Sequence, residues 1–140
     1  MALALTRDEV AEFLDEVFPQ VRGDFRIDAL SETHVTMRLL AHDRHLRPGG
    51  TVSGPAMFSL ADVAAYVIVL GRIGRKALAV TTNCSIDFMR KPVSGVDLIA
   101  EGRILKLGRQ LAVVDVLLHS EGSEAAVARA SLTYAIPPDR

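Results

Sequence analysis

The sequence contains a single cysteine, Cys84, so no disulfide can form within one chain. It has no basic start followed by a long apolar run, the pattern of a signal peptide, and we therefore expect a cytoplasmic protein. A net charge of −1 argues against nucleic acid or an acidic membrane as the main partner. The HExxH, CxxC, Walker and Ser-His-Asp patterns are also missing, so neither a metal site nor the matching catalytic classes are predicted.

The most distinctive segment that is present is an apolar run in the middle of the chain. Every residue from 56 to 70 is apolar except Ser59 and Asp62, and a helix that is apolar on all sides must be enclosed by the rest of its fold. Pro55 is typical of a first helical position, and Gly71 suggests the end of the helix. The run rises about 22 Å, which is shorter than a membrane span, so we predict a buried core helix.

Asp62 is the only charge inside this run. An enclosed carboxylate loses hydration worth several kcal/mol, so it must be paired, hydrogen-bonded, neutralised or placed beside a cavity. A purely structural bond to a neighbouring strand or a partner subunit is an equal alternative. The start of the same helix, capped by Gly54 or Ser53, favours chemistry, because free N–H groups at Gly54, Ala56 and Met57 suit a carbonyl that becomes an oxyanion.

The segment before the core helix predicts one helix and a pair of strands. Thr6 and Glu9 form a capping box, and the apolar spacing that follows indicates an amphipathic helix over residues 7–17. Strict alternation over residues 24–30 and 34–40 indicates two strands joined by a short turn. In the first strand the inward positions are predicted to be Phe25, Ile27 and Ala29.

Four alternating segments follow the core helix, each separated from the next by turn residues. The inward face of the first is predicted to hold Leu78, Val80, Thr82, Cys84, Ile86 and Phe88. That of the last is predicted to hold Ala126, Ala128, Ala130, Leu132, Tyr134 and Ile136. Consecutive strands with short turns indicate an antiparallel sheet and an α+β fold in a single domain over residues 1–140. We expect a curved sheet of about six strands wrapped around the helix, and a dimer that covers the remaining sheet edge.

A family likeness is carried by the segment GGTVSGP at 49–55 followed by LAD at 60–62. It resembles the G-x-V-H-G-G…L-A-D signature of hotdog-fold acyl-CoA thioesterases of the PaaI-like type, and the likeness continues through residues 79–82, 88–92 and 106–109. The resemblance implies a hotdog fold and hydrolysis of an acyl-CoA thioester to a free acid and coenzyme A. It implies no cofactor beyond the coenzyme A of the substrate, and a homodimer that could pair into a homotetramer.

The resemblance also implies roles for individual residues. Gly54 matches the glycine whose N–H polarises the thioester carbonyl, and Asp62 matches the catalytic carboxylate, a general base or nucleophile. Thr81 lies where relatives have a Ser or Thr that orients the attacking water. The basic residues that resemble those meeting the phosphates and nucleotide of coenzyme A are Arg90, Lys91, Lys106 and Arg109.

Three positions depart from the signature. Ser53 replaces the usual His, Pro55 replaces a second Gly, and Arg47 replaces an Asn that often lies six residues before the His. In relatives the His and Asn help to hold the thioester and the leaving group. We therefore treat Pro55 and Arg47 as candidate substrate-binding positions and Ser53 as a candidate catalytic residue, whose hydroxyl is able to donate to a thioester.

The spacing of the two main candidates predicts how the site is assembled. Gly54 and Asp62 are eight residues apart, which separates them by about 12 Å on one helix. A reacting carbonyl must lie within about 3 Å of both the oxyanion donor and the group that attacks it. The hypothesis is therefore that two helices pack antiparallel across a dimer, so that Gly54 of one chain faces Asp62 of the other.

Two alternative functions stay open at this point. A non-catalytic acyl-CoA-binding module is suggested by the substitutions at Ser53 and Arg47. A 3-hydroxyacyl-thioester dehydratase is suggested by a loop His, His45, but that chemistry also needs a helix Glu, and Ser59 occupies roughly that region. The sequence does not identify the acyl group, and its candidate pocket residues are Met57, Phe58 and Tyr66.

Overall fold

The computed structural model describes residues 3–138, and within them two helices and six strands follow the predicted order. The elements are α1 (Arg7–Val17), β1 (Phe25–Leu30), β2 (His34–Leu39), α2 (Gly54–Ile73), β3 (Val80–Phe88), β4 (Leu98–Leu107), β5 (Leu111–Ser120) and β6 (Ala126–Ala135). Every strand pair is antiparallel, and the strand order across the sheet is β1-β2-β4-β5-β6-β3. The sheet curves around α2, which confirms the hotdog fold predicted from the sequence.

The core helix α2 is longer than the sequence predicts, at 20 residues. Gly71 does not end it, because this glycine serves close packing instead: an added Cβ would lie 3.2 Å from Leu30. The helix ends at Gly74, whose φ of 93° suits glycine. By length and composition α2 could cross a membrane, but 67% of its most apolar window is buried inside the fold, as expected for a core helix.

The core lies between α2 and the concave face of the sheet. The inward alternation predicted for β2 and β4–β6 is confirmed, since these positions are buried: Val35, Met37, Leu39, Leu98, Ala100, Ala112, Val114, Val116, Leu118, Ala128, Ala130, Leu132 and Tyr134. Large side chains of α2 meet them, and full burial of each such leucine or isoleucine contributes about 1.5–3 kcal/mol. The helix is thus fixed along its length, which fixes the side chains that it carries.

The alternation predicted for β1 is wrong at one end because the strand contains a β-bulge. The register with β2 shifts between Ile27 and Ala29, and an extra residue moves every later side chain to the other face. Ala29 is therefore exposed, whereas Leu30 packs against the core beside Gly71.

A second bulge corrects the face predicted for β3. The register with β6 shifts between Thr81 and Asn83, so Thr82 is the extra residue. Thr81 then shares the inward side with Cys84 and Ile86, which pack against the core. Leu78, Val80 and Thr82, predicted to face inward, are therefore exposed. Phe88 keeps the side of Cys84 and Ile86 but is exposed at the end of the strand. The bulge matters for the site, because it turns Thr81 toward α2.

β3 lies at the edge of the sheet, and its outer side has no strand partner among residues 3–138. Exposed apolar side chains line this edge and the neighbouring turn of α2: Phe58, Leu78, Val80, Phe88 and Met89. We call these five residues the β3 face. An unpaired edge flanked by exposed apolar groups is typical of a surface that another chain covers.

Candidate active site

The Asp62 carboxylate is partly buried and is held by two hydroxyl groups. Thr81 Oγ1 donates to Asp62 Oδ1 at 2.6 Å, and the Tyr134 hydroxyl donates to the same oxygen at 2.7 Å. The Tyr134 oxygen also lies 2.9 Å from the Asp62 carbonyl oxygen. Among residues 3–138, Oδ2 of Asp62 has no hydrogen-bond partner and no cation forms an ion pair with the carboxylate. One oxygen is therefore fixed, and the other is available to a ligand.

The two hydroxyl groups that bind Asp62 come from neighbouring strands. Thr81 of β3 pairs directly with Tyr134 of β6, immediately before the bulge at Thr82. Directly opposite residues have closely spaced side chains on the same face of a sheet, so both reach the α2 residue above them. Sequence reasoning placed Tyr134 in the buried strand face but missed this contact. The available signal was chemical: a buried tyrosine hydroxyl needs an acceptor, and Asp62 needs a donor.

Burial decides the protonation of the groups around Asp62. Burial, followed by the nearby Asp62 charge, raises the pKa of Tyr134 well above its usual range, so the phenol stays protonated and keeps donating. Burial and the same charge also raise the pKa of the Cys84 thiol. Cys84 is therefore a poor nucleophile.

A cavity of about 280 Å³ opens beside this carboxylate. It is lined by Val17, Phe18, Asp62, Val63, Tyr66, Ala77, Ala79, Val80, Thr81 and Tyr134. Of the three predicted pocket residues only Tyr66 lines it, because Met57 is buried in the core and Phe58 is exposed on the β3 face. Apart from the carboxylate and the hydroxyls, the lining is apolar, which suits an apolar group next to a reacting centre.

Within residues 3–138, the N-terminus of α2 has one backbone N–H that is free to bind a ligand, rather than the three predicted. The Ala56 N–H donates to Ser53 Oγ at 3.2 Å, and the Met57 N–H donates to the Ser53 carbonyl at 3.0 Å. The Gly54 N–H has no hydrogen-bond partner in the described part of the chain. Ser53 is thus the N-cap of α2, and the prediction of three free donors narrows to Gly54.

His45, in the loop before α2, has a structural role. His45 is buried, its Nδ1 accepts from the His42 N–H at 3.0 Å, and its carbonyl accepts from the Ser53 N–H at 2.8 Å. His45 Nε2 lies 3.4 Å from Asp24 Oδ1. α2 contains no Glu, so the acid–base pair that a dehydratase would need is not formed.

The predicted coenzyme A contacts lie at opposite ends of β3. Arg90 and Lys91 follow the Phe88 end, where Phe88 lies next to Gly54. Lys106 and Arg109 lie around the β4–β5 turn, toward the Val80 end because Leu111 and Val80 both pair with Ala135. All four side chains are exposed. A nine-residue strand spans roughly 26 Å, so a single chain does not bring the two pairs together.

The remaining predicted positions cluster near the start of α2. Arg47 is exposed, and its N–H donates to the Thr51 carbonyl at 2.9 Å in the loop that leads to Ser53. Pro55 is the second residue of α2 and is exposed. Gly54 has room beside it, because an added Cβ would lie 3.6 Å from the Phe88 ring. One chain thus presents an open helix tip and, about 12 Å along the same helix, the acid.

Comparisons with known proteins identify relatives of this chain. The family model of the Thioesterase superfamily matches residues 49–127. A curated protein of Archaeoglobus fulgidus named "Putative esterase" is 30% identical over 89 residues, which cover 64% of this chain and 56% of that protein. The match therefore spans little more than half the length of this curated relative.

Three solved structures are similar over most of the chain. A "putative thioesterase" from Silicibacter sp. TM1040 is 62% identical with a TM-score of 0.93, covering 99% of this chain and 96% of that one. A Streptococcus mutans protein bound to acetyl CoA is 26% identical with a TM-score of 0.73, covering 86% and 94%. The Escherichia coli PaaI protein is 21% identical with a TM-score of 0.80, covering 94% and 93%, and its likeness shows the fold alone.

Proposed function

The chain belongs to the thioesterase superfamily and has the hotdog fold, and we propose that it is a PaaI-like member that hydrolyses an acyl-CoA thioester to a free acid and coenzyme A. The observation that carries the proposal is the Asp62 carboxylate, held through one oxygen by Thr81 and Tyr134 beside an apolar cavity. The acetyl CoA bound to the Streptococcus mutans relative supports a coenzyme A ester as the ligand.

The chemistry follows from the free oxygen of Asp62. A water molecule attacks the thioester carbonyl carbon while Asp62 Oδ2 accepts its proton. The carbonyl oxygen becomes an oxyanion, which the Gly54 N–H and the positive end of the α2 dipole stabilise. The tetrahedral intermediate then collapses, the C–S bond breaks, and the coenzyme A thiolate takes the proton from Asp62. Thr81 and Tyr134 keep the carboxylate oriented throughout.

A complete site requires two chains in this proposal. Within one chain Gly54 lies at the Phe88 end of β3, whereas Asp62 lies at the Thr81 end. If two β3 edges pair antiparallel about their centres, the Phe88 end of each strand meets the Val80 end of the other. That pairing brings the Gly54 N–H of the partner subunit toward Asp62, and it buries the β3 face.

The same pairing accounts for the separated basic residues. Arg90 and Lys91 of one chain come to the side of the dimer where the partner subunit presents Lys106 and Arg109. Four exposed cations then border each composite site, close to where the phosphates of coenzyme A would emerge. The dimer is therefore the smallest assembly that unites all the predicted contacts.

Mixed dimers test the composite site. We expect Asp62→Asn to fold and to be inactive, as should a variant lacking the Gly54 N–H, Gly54→Pro with Pro55→Ala. Subunits mixed in equal amounts and exchanged at random form mixed dimers half of the time, each with one intact site of two, so about a quarter of wild-type activity should return. No recovery in dimers shown by native mass spectrometry to be mixed contradicts the shared site.

A panel of acyl-CoA esters, assayed for free thiol, tests the reaction itself. Thiol release that Asp62→Asn abolishes supports hydrolysis. Loss of water from a 3-hydroxyacyl ester without thiol release would identify a dehydratase, and tight binding without turnover would identify a binding module. Full hydrolytic activity in Asp62→Asn would overturn the assigned role of the carboxylate.

A further inference from the structure

We propose that Phe18, at the end of α1, forms the terminal wall of the acyl-binding cavity and limits the bound acyl group to about ten carbons. The inference rests on the proposed function in taking the acyl part of a coenzyme A ester as the occupant. It adds a specificity-determining residue from an element that contributes neither the acid nor the oxyanion donor.

The cavity has a direction, given by three aromatic rings that run away from the carboxylate. Tyr134 touches Asp62 through its hydroxyl, and its ring stacks on Tyr66 with centroids 6.1 Å apart. Tyr66 in turn meets Phe18 edge-to-face at 6.4 Å. All four residues line the same cavity. An acyl group whose carbonyl carbon lies beside Asp62 therefore extends past Tyr66 toward Phe18.

The first two rings present carbon surfaces to this path. The Tyr66 hydroxyl donates to the Ala77 carbonyl at 2.8 Å, and the Tyr134 hydroxyl is used by Asp62. Both tyrosines are buried, so neither hydroxyl is left to attract a polar ligand. Ala77 and Ala79 complete the wall beside Tyr66 with small apolar groups. The occupant beyond the carbonyl is therefore apolar and uncharged.

Phe18 is held in place by the anchoring of α1. Its N–H donates to the Leu14 carbonyl at 2.8 Å as the C-cap of the helix, and Pro19 follows it immediately. Phe13 and Leu14 bury α1 in the core, while Phe18 itself stays partly exposed. Its partly exposed ring lines this end of the cavity, so its removal should widen the cavity toward solvent rather than hollow out the core.

The size of the chamber sets the limit. Its volume is about 280 Å³, and an engineered apolar protein cavity of about 150 Å³ holds one benzene molecule. Twice that space accommodates an acyl group of about ten carbons, linear, branched or aromatic, but not a long fatty acyl chain. Longer chains must therefore meet the Phe18 ring.

The test is a chain-length series of non-hydrolysable acyl-CoA thioethers, from four to sixteen carbons, with dissociation constants from calorimetry. For the wild type we expect affinity to rise to about ten carbons and then to stop rising or fall. Phe18→Ala should bind the longest ligands at least about tenfold more tightly than the wild type does, while Phe18→Trp should move the optimum to shorter chains. The matched control is Phe25→Ala, which removes a similar ring from β1 outside the cavity.

Each outcome has a defined meaning. If the chain-length profile is the same in wild type, Phe18→Trp and Phe25→Ala, Phe18 does not form the terminal wall of the cavity. This conclusion holds even if Phe18→Ala does not fold. A shifted profile in both Phe18 variants but not in Phe25→Ala supports Phe18 as that wall. If no acyl-CoA ester releases thiol but the binding series shifts as expected, the proposed hydrolysis is refuted and the proposed role of Phe18 in the acyl-binding cavity is supported. No binding at any length overturns both.

Discussion

Removal of one backbone N–H at the start of α2 tests the oxyanion site directly. Gly54→Pro deletes this hydrogen, and the accompanying Pro55→Ala change avoids a helical residue placed before a proline, which is unfavourable. Pro55→Ala alone is the matched control. The pair of variants differs at residue 54 only, so the comparison isolates the loss of the donor together with the addition of a proline ring.

The structure indicates that this replacement is compatible with folding. Proline is favoured at the first helical position, and Ser53 already has the extended conformation, φ −76° and ψ 159°, that a following proline requires. The Gly54 N–H has no partner among residues 3–138, and an added Cβ would lie at an ordinary 3.6 Å from Phe88. We expect the thermal midpoints of the two variants to agree within about 3 °C.

The catalytic effect should be much larger than the structural one. Loss of one oxyanion donor lowers kcat by a factor of about 100 to 1,000. Because the interaction strengthens in the transition state, kcat and kcat/KM should fall together in a thiol-release assay with an acyl-CoA ester. If the double variant instead keeps kcat within about threefold of Pro55→Ala, Gly54 is not the oxyanion donor and the reasoning from the helix tip is refuted.

Three further predictions use the groups around Asp62 and one distant ion pair. Tyr134→Phe keeps the buried ring but leaves Asp62 with one donor fewer, so we expect a loss of about 1–3 kcal/mol in the free energy of unfolding, measured in urea, together with lower kcat. Burial and, after it, the Asp62 charge raise the pKa of Cys84. Asp62→Asn removes the charge, so iodoacetamide should alkylate the thiol faster at pH 8 in that variant, and an unchanged rate would contradict the effect of the charge. Burial tends to raise the pKa of Asp28, but hydrogen bonds from Arg26 and Arg38 outweigh burial and hold this pKa below its usual value. The ionised carboxylate therefore stabilises the fold at pH values above the pKa of the unfolded chain, and this stabilisation is lost as the pH falls through the pKa of the folded protein. Asp28→Asn should therefore be about 1 kcal/mol less stable at pH 7 and should show a flatter stability profile below pH 5, by urea titration.

Periodicity was sufficient to predict the elements and most of the core, because the apolar spacing of a helix or strand reflects which side is buried. It failed where the backbone departs from regular pairing. An extra residue such as Thr82 leaves no mark in the alternation of β3, so the sequence alone assigned Val80 and Thr82 to the wrong side. Gly71 misled in a similar way, since a glycine needed for close packing looks the same as one that ends a helix.

The candidate site also has parts that the sequence could predict and parts that it could not. Asp62 was predictable, because a charge in an apolar helix requires a reason. Its contact with Tyr134 was not, since it depends on a strand register set by residues more than seventy positions away. The cavity was even less accessible to sequence reasoning, because Phe18 reaches it only through the way α1 docks beside α2. Local patterns identify single groups, whereas their assembly depends on tertiary register.

Register would also decide the geometry of the proposed composite site. Gly54 and Asp62 lie on one rigid helix, so within a dimer their separation across the interface depends on how the two β3 edges align. A slip of one residue moves the partner's helix tip by about 3.3 Å, which is more than an oxyanion hydrogen bond tolerates, and it also turns each side chain to the opposite face. Val80 and Phe88 are exposed at the two ends of the strand, and in the proposed dimer the central alignment covers both ends. In this proposal, burial of the exposed apolar residues of the β3 face therefore favours the alignment that sets the distance between donor and acid.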